Sequence, residues 1–230
     1  IMGAGLSGLA AATILAKAGR EVHVHDIREE SGARFDGDFQ ALENWSMEAD
    51  FFDQMQEWGF DITEFKATEF KVVDLIHPDD TITQAKSPKV AYRIVERGTS
   101  DHTIDQGIKR QALAAGAKIH YKSKVSESDC QIIACGPKGT SAVAYGEIFH
   151  TTHPNHIAFQ LNDKLAPGAY SYLIIIDGVG LICTCLWRKQ KKSDRFLNET
   201  IAWYDKHYPD LNRKPIKRVG GKGDFTTVSY

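Results

Sequence analysis

Three glycines and one aspartate near the amino terminus have the spacing of a site that binds a diphosphate. Residues 3–8 read Gly-Ala-Gly-Leu-Ser-Gly, which satisfies the pattern G-x-G-x-x-G. In this pattern Gly3 permits a sharp turn, Gly5 lets a pyrophosphate approach the backbone, and Gly8 lets a helix pack closely on a strand. Asp26 follows at the distance where an acidic side chain accepts hydrogen bonds from ribose hydroxyls. The spacing therefore predicts a dinucleotide site.

The elements around this motif are those that a dinucleotide-binding unit needs. Residues 3–19 are predicted to form a turn and a helix that ends at Gly19. Four apolar residues recur there at helical spacing: Leu9, Ala12, Leu15 and Ala16. Residues 21–26 alternate like a strand that ends at Asp26. An acid at that position disfavours the 2′-phosphate of NADP, whereas the motif leaves FAD and NAD both open.

The remainder of the chain alternates between helical and strand-like segments. Further helices are predicted over 47–58, 101–115 and 193–207. Strands are predicted over 70–76, 81–84, 90–95, 118–121 and 131–134. Residues 145–187 are strand-rich, with a hairpin at Asp177-Gly178, and the polar segment 27–46 is predicted to be a functional loop.

This alternation predicts an α/β fold, in which a Rossmann-type domain is interleaved with a mostly antiparallel β-sheet domain. We assign residues 1–65 and 97–144 to the nucleotide-binding domain, which is then discontinuous. Residues 66–96 and 145–230 are assigned to a second, substrate-binding domain.

The charge and composition of the chain argue against nucleic acid, a membrane span and a metal ion as features of this protein. The formal net charge is −2, so no strong field attracts nucleic acid, and the basic runs 188–192 and 213–218 are interpreted as solvated surface. No apolar stretch approaches the roughly 20 residues of a membrane span. The four cysteines form no C-x-x-C pair, and the histidines at 23 and 25 or at 150, 153 and 156 do not favour a metal site. Free thiols suit a reducing, cytoplasmic location.

The segment after Asp26 carries a resemblance to a known family. It reads Ile-Arg-Glu-Glu-Ser-Gly-Ala-Arg-Phe-Asp-Gly-Asp-Phe-Gln over 27–40 and Ala-Leu-Glu-Asn-Trp-Ser over 41–46. With the glycine motif, it resembles the geranylgeranyl reductase family of flavoproteins, which shares the FAD-binding fold of p-hydroxybenzoate hydroxylase. Asp105, the segment Ser-Lys-Val over 123–125 and the segment 129–137 resemble the same family. The resemblance implies that FAD is the cofactor and that four further residues line its pocket: Arg34, Arg97, Val125 and Gly136.

A second match implies a substrate-binding surface. The family carries the pattern Pro-x-x-Tyr-x-Trp-x-Phe-Pro, and residues 167–175 here read Pro-Gly-Ala-Tyr-Ser-Tyr-Leu-Ile-Ile. Tyr170 matches, Tyr172 replaces the tryptophan, and Ile174 and Ile175 replace phenylalanine and proline. Tyr170 and Tyr172 share one strand face and are the implied substrate-binding residues. No residue is assigned a catalytic role, and Tyr170 is the candidate proton donor that the pattern offers.

The resemblance also bears on the two ends of the chain. The family has a late Gly-Asp- or Gly-Glu-Ala-Ala-Gly segment, which does not occur before Tyr230, and no strand precedes the glycine motif. We therefore expect the sequence to be truncated at both ends.

The resemblance implies an FAD-dependent oxidoreductase that reduces a carbon–carbon double bond of an isoprenoid or other apolar substrate by hydride transfer. The expected partners are a small-molecule or lipid substrate, the latter with peripheral membrane contact, and an electron donor such as NAD(P)H or a ferredoxin-like protein. Three alternatives stay open. They are a flavin monooxygenase or dehydrogenase of the same fold acting on a small substrate, a non-catalytic FAD-binding protein, and an NAD-dependent Rossmann dehydrogenase.

Overall fold

The computed structural model describes residues 1–136 and 138–224, and the chain divides into two compact units. The first unit consists of Ile1–Glu69 and Tyr92–Gly136. The second consists of Phe70–Ala91 and the described residues from 138 onward. Each unit is therefore assembled from two separate stretches of the chain. The assignment of nucleotide binding to one predicted domain and substrate binding to the other stays a prediction.

The described residues form four α-helices and twelve strands. The helices are α1 (Leu6–Lys17), α2 (Phe51–Glu57), α3 (Ile104–Ala114) and α4 (Ser193–His207). The first six strands are β1 (His23–His25), β2 (Phe39–Glu43), β3 (Ala67–Phe70), β4 (Val72–Ile76), β5 (Ile82–Lys86) and β6 (Tyr92–Glu96). The others are β7 (Lys118–His120), β8 (Ala142–His150), β9 (His156–Gln160), β10 (Ser171–Ile176), β11 (Val179–Leu186) and β12 (Lys214–Gly223). None of the helices in the described part of the chain has the length and apolar character needed to cross a bilayer.

In the first unit, short parallel segments carry the glycine motif. β1 pairs in parallel with β7, and Met2 forms parallel bridges to His25 and to Ile133. Helices α1 and α3 contribute Leu9, Ala12, Ile108 and Ala112 to a buried core. This is the Rossmann-type arrangement, and it brings the carboxyl ends of the Met2 segment and β1 together, where ligands bind in such folds.

The second unit contains a seven-stranded sheet in the order β12-β8-β11-β10-β9-β4-β5. Its pairs are antiparallel except that between β4 and β9, which is parallel. Asp177 and Gly178 connect β10 to β11 with φ angles of 50° and 82°, the backbone that a two-residue hairpin requires. Leu197 and Tyr204 of α4 pack with buried residues of one sheet face. The predicted fold class, a Rossmann-type unit with a mostly antiparallel sheet, is confirmed.

Some predicted elements differ from the structure in their extent. The predicted helix 47–58 begins only at Phe51, because the Asp50 carboxylate caps it by accepting a hydrogen bond from the Phe52 N–H at 2.8 Å. β2 lies inside the segment predicted to be a loop. The predicted strand 131–134 contributes only an isolated bridge at Ile133.

The edge strand β12 was missed, and its sequence gives the reason. It reads Lys-Pro-Ile-Lys-Arg-Val-Gly-Gly-Lys-Gly and is largely exposed, so no clear period-two apolar pattern exists. Pro215 cannot donate a ladder hydrogen bond, and the register shifts between Pro215 and Lys217. Proline, lysine and an irregular register are all typical of edge strands.

Candidate dinucleotide-binding site

Gly3 and Gly8 are required by close packing within the turn itself. Gly3 has φ +104°, and a Cβ placed on it would lie 2.4 Å from the Ala134 carbonyl oxygen. A Cβ on Gly8 would lie 1.9 Å from the Gly3 carbonyl oxygen. Because both contacts are with backbone atoms, neither can be relieved by moving a flexible side chain. These two glycines therefore allow the turn to form and α1 to approach it.

Gly5 differs from both, because its surroundings are open. Its φ of −82° is accessible to any residue, and apart from its neighbours in the chain no heavy atom of the described residues lies within 4 Å of the position that a Cβ would take. Gly5 is the N-cap of α1, and its carbonyl oxygen accepts the first helical hydrogen bond from the Leu9 N–H at 2.9 Å. The N–H groups of the first turn have no partner within the helix, and no side chain of the described residues caps it. The backbone here is accessible to a bound diphosphate.

The carboxylate of Asp26 lies against the same turn. One oxygen, Oδ2, accepts a hydrogen bond from the Ala4 N–H at 2.7 Å, and the other, Oδ1, accepts one from the Arg28 N–H at 2.8 Å. The Asp26 N–H itself donates to the His120 carbonyl oxygen at 3.0 Å. These bonds fix the carboxylate at the glycine turn, and each oxygen keeps a second lone pair that can accept from a ribose hydroxyl.

A cleft of about 360 Å³ opens beside this carboxylate, and we call it the nucleotide cleft. Its lining includes Gly3, His25, Asp26, Ser123, Val125 and Cys135. The volume lies near the lower end of the range for small-molecule sites. Three residues predicted from the sequence (Gly3, Asp26 and Val125) therefore line one cavity.

One histidine that was not predicted to serve the site, His25, lines the nucleotide cleft, and two further histidines contact it or its neighbour. His25 shares a hydrogen bond of 2.9 Å between its Nδ1 and Ser123 Oγ, and its ring stacks on His120 at 4.7 Å. His23 Nδ1 lies 2.9 Å from His120 Nε2. Burial lowers the pKa of His25, and the charge of His120 lowers it further. The pairing of β1 with β7 places His25 opposite His120, a register that the sequence does not reveal.

Two other predicted residues lie next to one another. Gly136 has φ +78°, and a Cβ on it would be 3.7 Å from Arg34 Nη1. Gly136 directly follows Cys135 of the nucleotide cleft, and the Arg34 guanidinium carbon lies 5.5 Å from the centre of the Phe35 ring. The positively charged guanidinium of Arg34 therefore lies beside Gly136, where no side chain covers the backbone.

Arg97 occupies a different environment, since only 8% of it is exposed. Its Nε and Nη2 donate to the two oxygens of Asp105 at 2.7 and 2.9 Å, and its Nη1 donates to Gln40 Oε1 at 2.6 Å. The guanidinium carbon lies 4.0 Å from the centre of the Phe35 ring. These contacts join the end of β6 to α3 and β2, which is a structural role. Its predicted contact with the cofactor stays a prediction.

The predicted substrate residues belong to one face of the sheet in the second unit. Tyr170 is 40% exposed and its ring lies 6.2 Å from that of Tyr172. Phe159 lies 6.1 and 6.3 Å from these two rings, and we call the three residues the aromatic surface. Phe159 was not predicted, because it joins the tyrosines only through the pairing of Tyr172 with Phe159 between β10 and β9. The aromatic surface can contact an apolar ligand.

Two thiols adjoin the aromatic surface. Tyr172 pairs with Cys183 on β11, and Cys185 follows on the same strand face. Burial raises the pKa of Tyr172 well above its ordinary value. A hydrogen bond with Cys183 lowers the pKa of Cys185. The aromatic surface therefore combines apolar rings with groups that can hold a proton.

Comparison of the sequence with known families supports the assignment of the glycine motif. Residues 1–38 match the family model described as an NAD(P)-binding Rossmann-like domain. This segment includes the glycine turn, α1, β1 and Asp26. No curated protein matches the chain.

Solved structures share the fold over nearly the whole chain. A geranylgeranyl bacteriochlorophyll reductase-like protein from Thermoplasma acidophilum is 16% identical, with a TM-score of 0.69 over 96% of this chain and 64% of that chain. A myxobacterial chondrochloren halogenase, described as a new variant of FAD-dependent halogenases, is 10% identical, with a TM-score of 0.62 over 96% and 62%. Aklavinone-11 hydroxylase, solved with FAD and aklavinone, is 13% identical, with a TM-score of 0.60 over 96% and 52%. The chain thus spans less than two thirds of the length of each.

Proposed function

We propose that this chain is part of an FAD-dependent oxidoreductase whose first unit binds the cofactor. The observation that carries the proposal is the combination of the open position at Gly5 with the Asp26 carboxylate fixed at the same turn. Backbone N–H groups at the start of α1 bind the diphosphate, and Asp26 accepts hydrogen bonds from the ribose. Val125 belongs to the adenosine part of this site because it lines the same nucleotide cleft.

FAD rather than NAD is the cofactor in this proposal for two reasons. The segment after Asp26 resembles flavoproteins, and two of the solved structures with this fold have FAD in their descriptions. Arg34 and Gly136, which the resemblance assigns to the cofactor pocket, are neighbours in space. The positive charge of Arg34 suits the diphosphate or a negatively charged flavin ring.

For the reaction, we propose reduction of a carbon–carbon double bond in an isoprenoid or other apolar substrate. Reduced FAD, when bound, supplies the hydride, and a second group adds a proton to the neighbouring carbon. In the second unit, the aromatic surface packs against the hydrocarbon of the substrate. Tyr170 is the candidate proton donor because it places a phenol on this surface and is 40% exposed.

An oxygen-dependent reaction on a smaller substrate is the second candidate. Ile174 and Ile175 replace phenylalanine and proline of the reductase pattern, and both are buried. The phenylalanine and proline that the reductase pattern has at these positions are therefore not available to contact an isoprenoid. The hydroxylase and halogenase structures have the same fold, which supports this alternative.

Anaerobic flavin reoxidation distinguishes the two candidates. The protein is loaded with FAD, reduced with dithionite in the absence of oxygen, and mixed with a prenyl alcohol that contains double bonds. The reductase proposal expects the absorbance of oxidised flavin near 450 nm to return with formation of the saturated product. Reoxidation only when oxygen is admitted, with a substrate-dependent hydroxylated product, would contradict the reductase and support the alternative.

A further inference from the structure

The second unit contains another cleft, which takes no part in the proposed site. Its volume is about 360 Å³, and it lies between the loop that follows β9 and the segment that runs from the end of β11 into the first turn of α4. Its lining residues are Asp163, Lys164, Lys189, Lys192, Arg195 and Phe196. We call it the lysine cleft.

The charges of this cleft are unbalanced. Arg195 Nε pairs with Glu199 Oε1 at 2.8 Å, and Asp163 Oδ2 pairs with Arg188 Nη2 at 2.7 Å, so these two ion pairs neutralise themselves. In contrast, three lysines form no salt bridge with a carboxylate among the residues that the structure describes: Lys164, Lys189 and Lys192. The charge of Lys189 acts on Asp163 and helps to lower the pKa of that carboxyl. The lining therefore carries an excess of positive charge, which favours an anion in the cleft.

The backbone that carries these lysines is held in place from several sides. The N–H groups of Trp187 and Arg188 donate to the Pro167 carbonyl oxygen at 3.3 and 3.1 Å, which ties the two walls of the cleft together. Thr184 Oγ1 donates to the Leu165 carbonyl oxygen at 3.0 Å. Gln190 Nε2 donates to the Ser141 carbonyl oxygen at 2.8 Å. The three positive charges are therefore attached to a fixed framework.

We propose that the lysine cleft binds the phosphate group of a small molecule. The compact ammonium of lysine binds phosphate as a point charge through any of its three donors, and three such groups balance the charge of a diphosphate. A concave cleft of this volume fits a phosphate with part of its organic group. Two sources have this chemistry: a phosphorylated dinucleotide that delivers electrons, and a prenyl diphosphate. The phosphate site itself does not depend on FAD binding in the first unit, whereas these two sources rest on the proposed oxidoreductase function.

Titration of the protein with inorganic pyrophosphate, followed by calorimetry, tests the proposal. Lys189→Ala and Lys192→Ala should each weaken binding about tenfold, because each removes one charge-assisted contact. Lys191→Ala is the matched control, since Lys191 belongs to the same short turn, Gln190–Lys192, and does not line the cleft. It should change the affinity less than about twofold. Far-ultraviolet circular dichroism of each variant checks that the fold is intact.

Two outcomes would overturn the proposal. One is the absence of pyrophosphate binding to the unmodified protein. The other is equal weakening by all three substitutions, which would mean general attraction to a basic surface, such as an acidic protein partner would use.

Paired ligands then identify the source of the phosphate. If NADPH binds more tightly than NADH, and Lys192→Ala removes the difference, the ligand is the dinucleotide. If a prenyl diphosphate binds more tightly than its prenyl alcohol, with the same loss in Lys192→Ala, the ligand is the substrate. Either result supports the phosphate site. Loss of FAD binding in these variants is not expected, so failure here is distinct from failure of the proposed cofactor.

Discussion

The glycine turn of the first unit and the aromatic surface of the second unit form their candidate sites in opposite ways. At the turn, the site depends on side chains that are absent from three positions within residues 3–8. On the aromatic surface, rings from β9, β10 and the residue before β10 have to meet. The first arrangement is local in sequence and made of backbone. The second arrangement depends on strand pairing and is made of side chains, so its residues can differ between proteins of this fold that bind different substrates.

The largest expected effect concerns the buried ion pair between Arg97 and Asp105, which joins the end of β6 to α3. Arg97→Leu removes the partner of Asp105, which is 1% exposed, and leaves a buried carboxylate unpaired. We expect the free energy of unfolding to fall by about 3–5 kcal/mol. Urea denaturation measures the loss. Arg34→Leu is the control and should reduce flavin affinity with little loss of stability, and equal stability of the two variants would contradict the structural role of Arg97.

A second prediction tests whether Gly8 is required for packing, in contrast to Gly5, whose surroundings are open. Gly8→Ala places a methyl group 1.9 Å from the Gly3 carbonyl oxygen, so helix and turn have to separate. We expect a loss of stability of about 1–3 kcal/mol or more, from overpacking against fixed backbone. Thermal and urea unfolding report this loss. A Gly8→Ala protein as stable as the unmodified one would show that the turn has more space than the structure gives it.

A third prediction separates the aromatic surface from the cofactor site. Phe159→Ala should raise the KM for an apolar substrate about tenfold, because an aromatic contact is lost. The affinity for FAD should not change. Steady-state kinetics and a flavin titration on the same preparation test both statements. A change in FAD affinity with an unaltered KM would place the function of Phe159 elsewhere.

The smallest expected effect is a pH dependence from His25, the histidine that lines the nucleotide cleft. The pKa of His25 is lowered in the folded protein, so below about pH 6.5 the unfolded chain binds a proton more readily than the folded one. The stability that His25 contributes is therefore present above that pH and is lost as the pH falls through its folded-state pKa. His25→Asn should reduce the loss of stability between pH 7.5 and 5.5, measured by urea unfolding. An identical pH dependence in the two proteins would exclude His25 as its origin.

The sequence predicts the local features of the first unit better than the contacts made across strands. The glycine turn, α1, β1 and Asp26 are contiguous, and their order alone indicated a diphosphate site. Helix α4 has the predicted bounds because its apolar residues recur on one face. Phe159 and the contact between His25 and His120 were missed, because each depends on the register of a strand pair. Arg97 and Asp105 were both noted, but only the fold shows that they bind each other.

The central claim is that the open position at Gly5 is where a dinucleotide approaches the backbone. Gly5→Ala adds a methyl group to a position with a favourable φ and, apart from chain neighbours, no atom of the described residues within 4 Å. Because alanine is a poorer N-cap than glycine, stability should fall by about 1 kcal/mol at most, which leaves the protein folded. Titration with FAD, followed by flavin fluorescence, should show affinity weakened at least about tenfold, equivalent to roughly 1.4 kcal/mol. Unchanged FAD affinity in a stably folded Gly5→Ala protein would contradict the account.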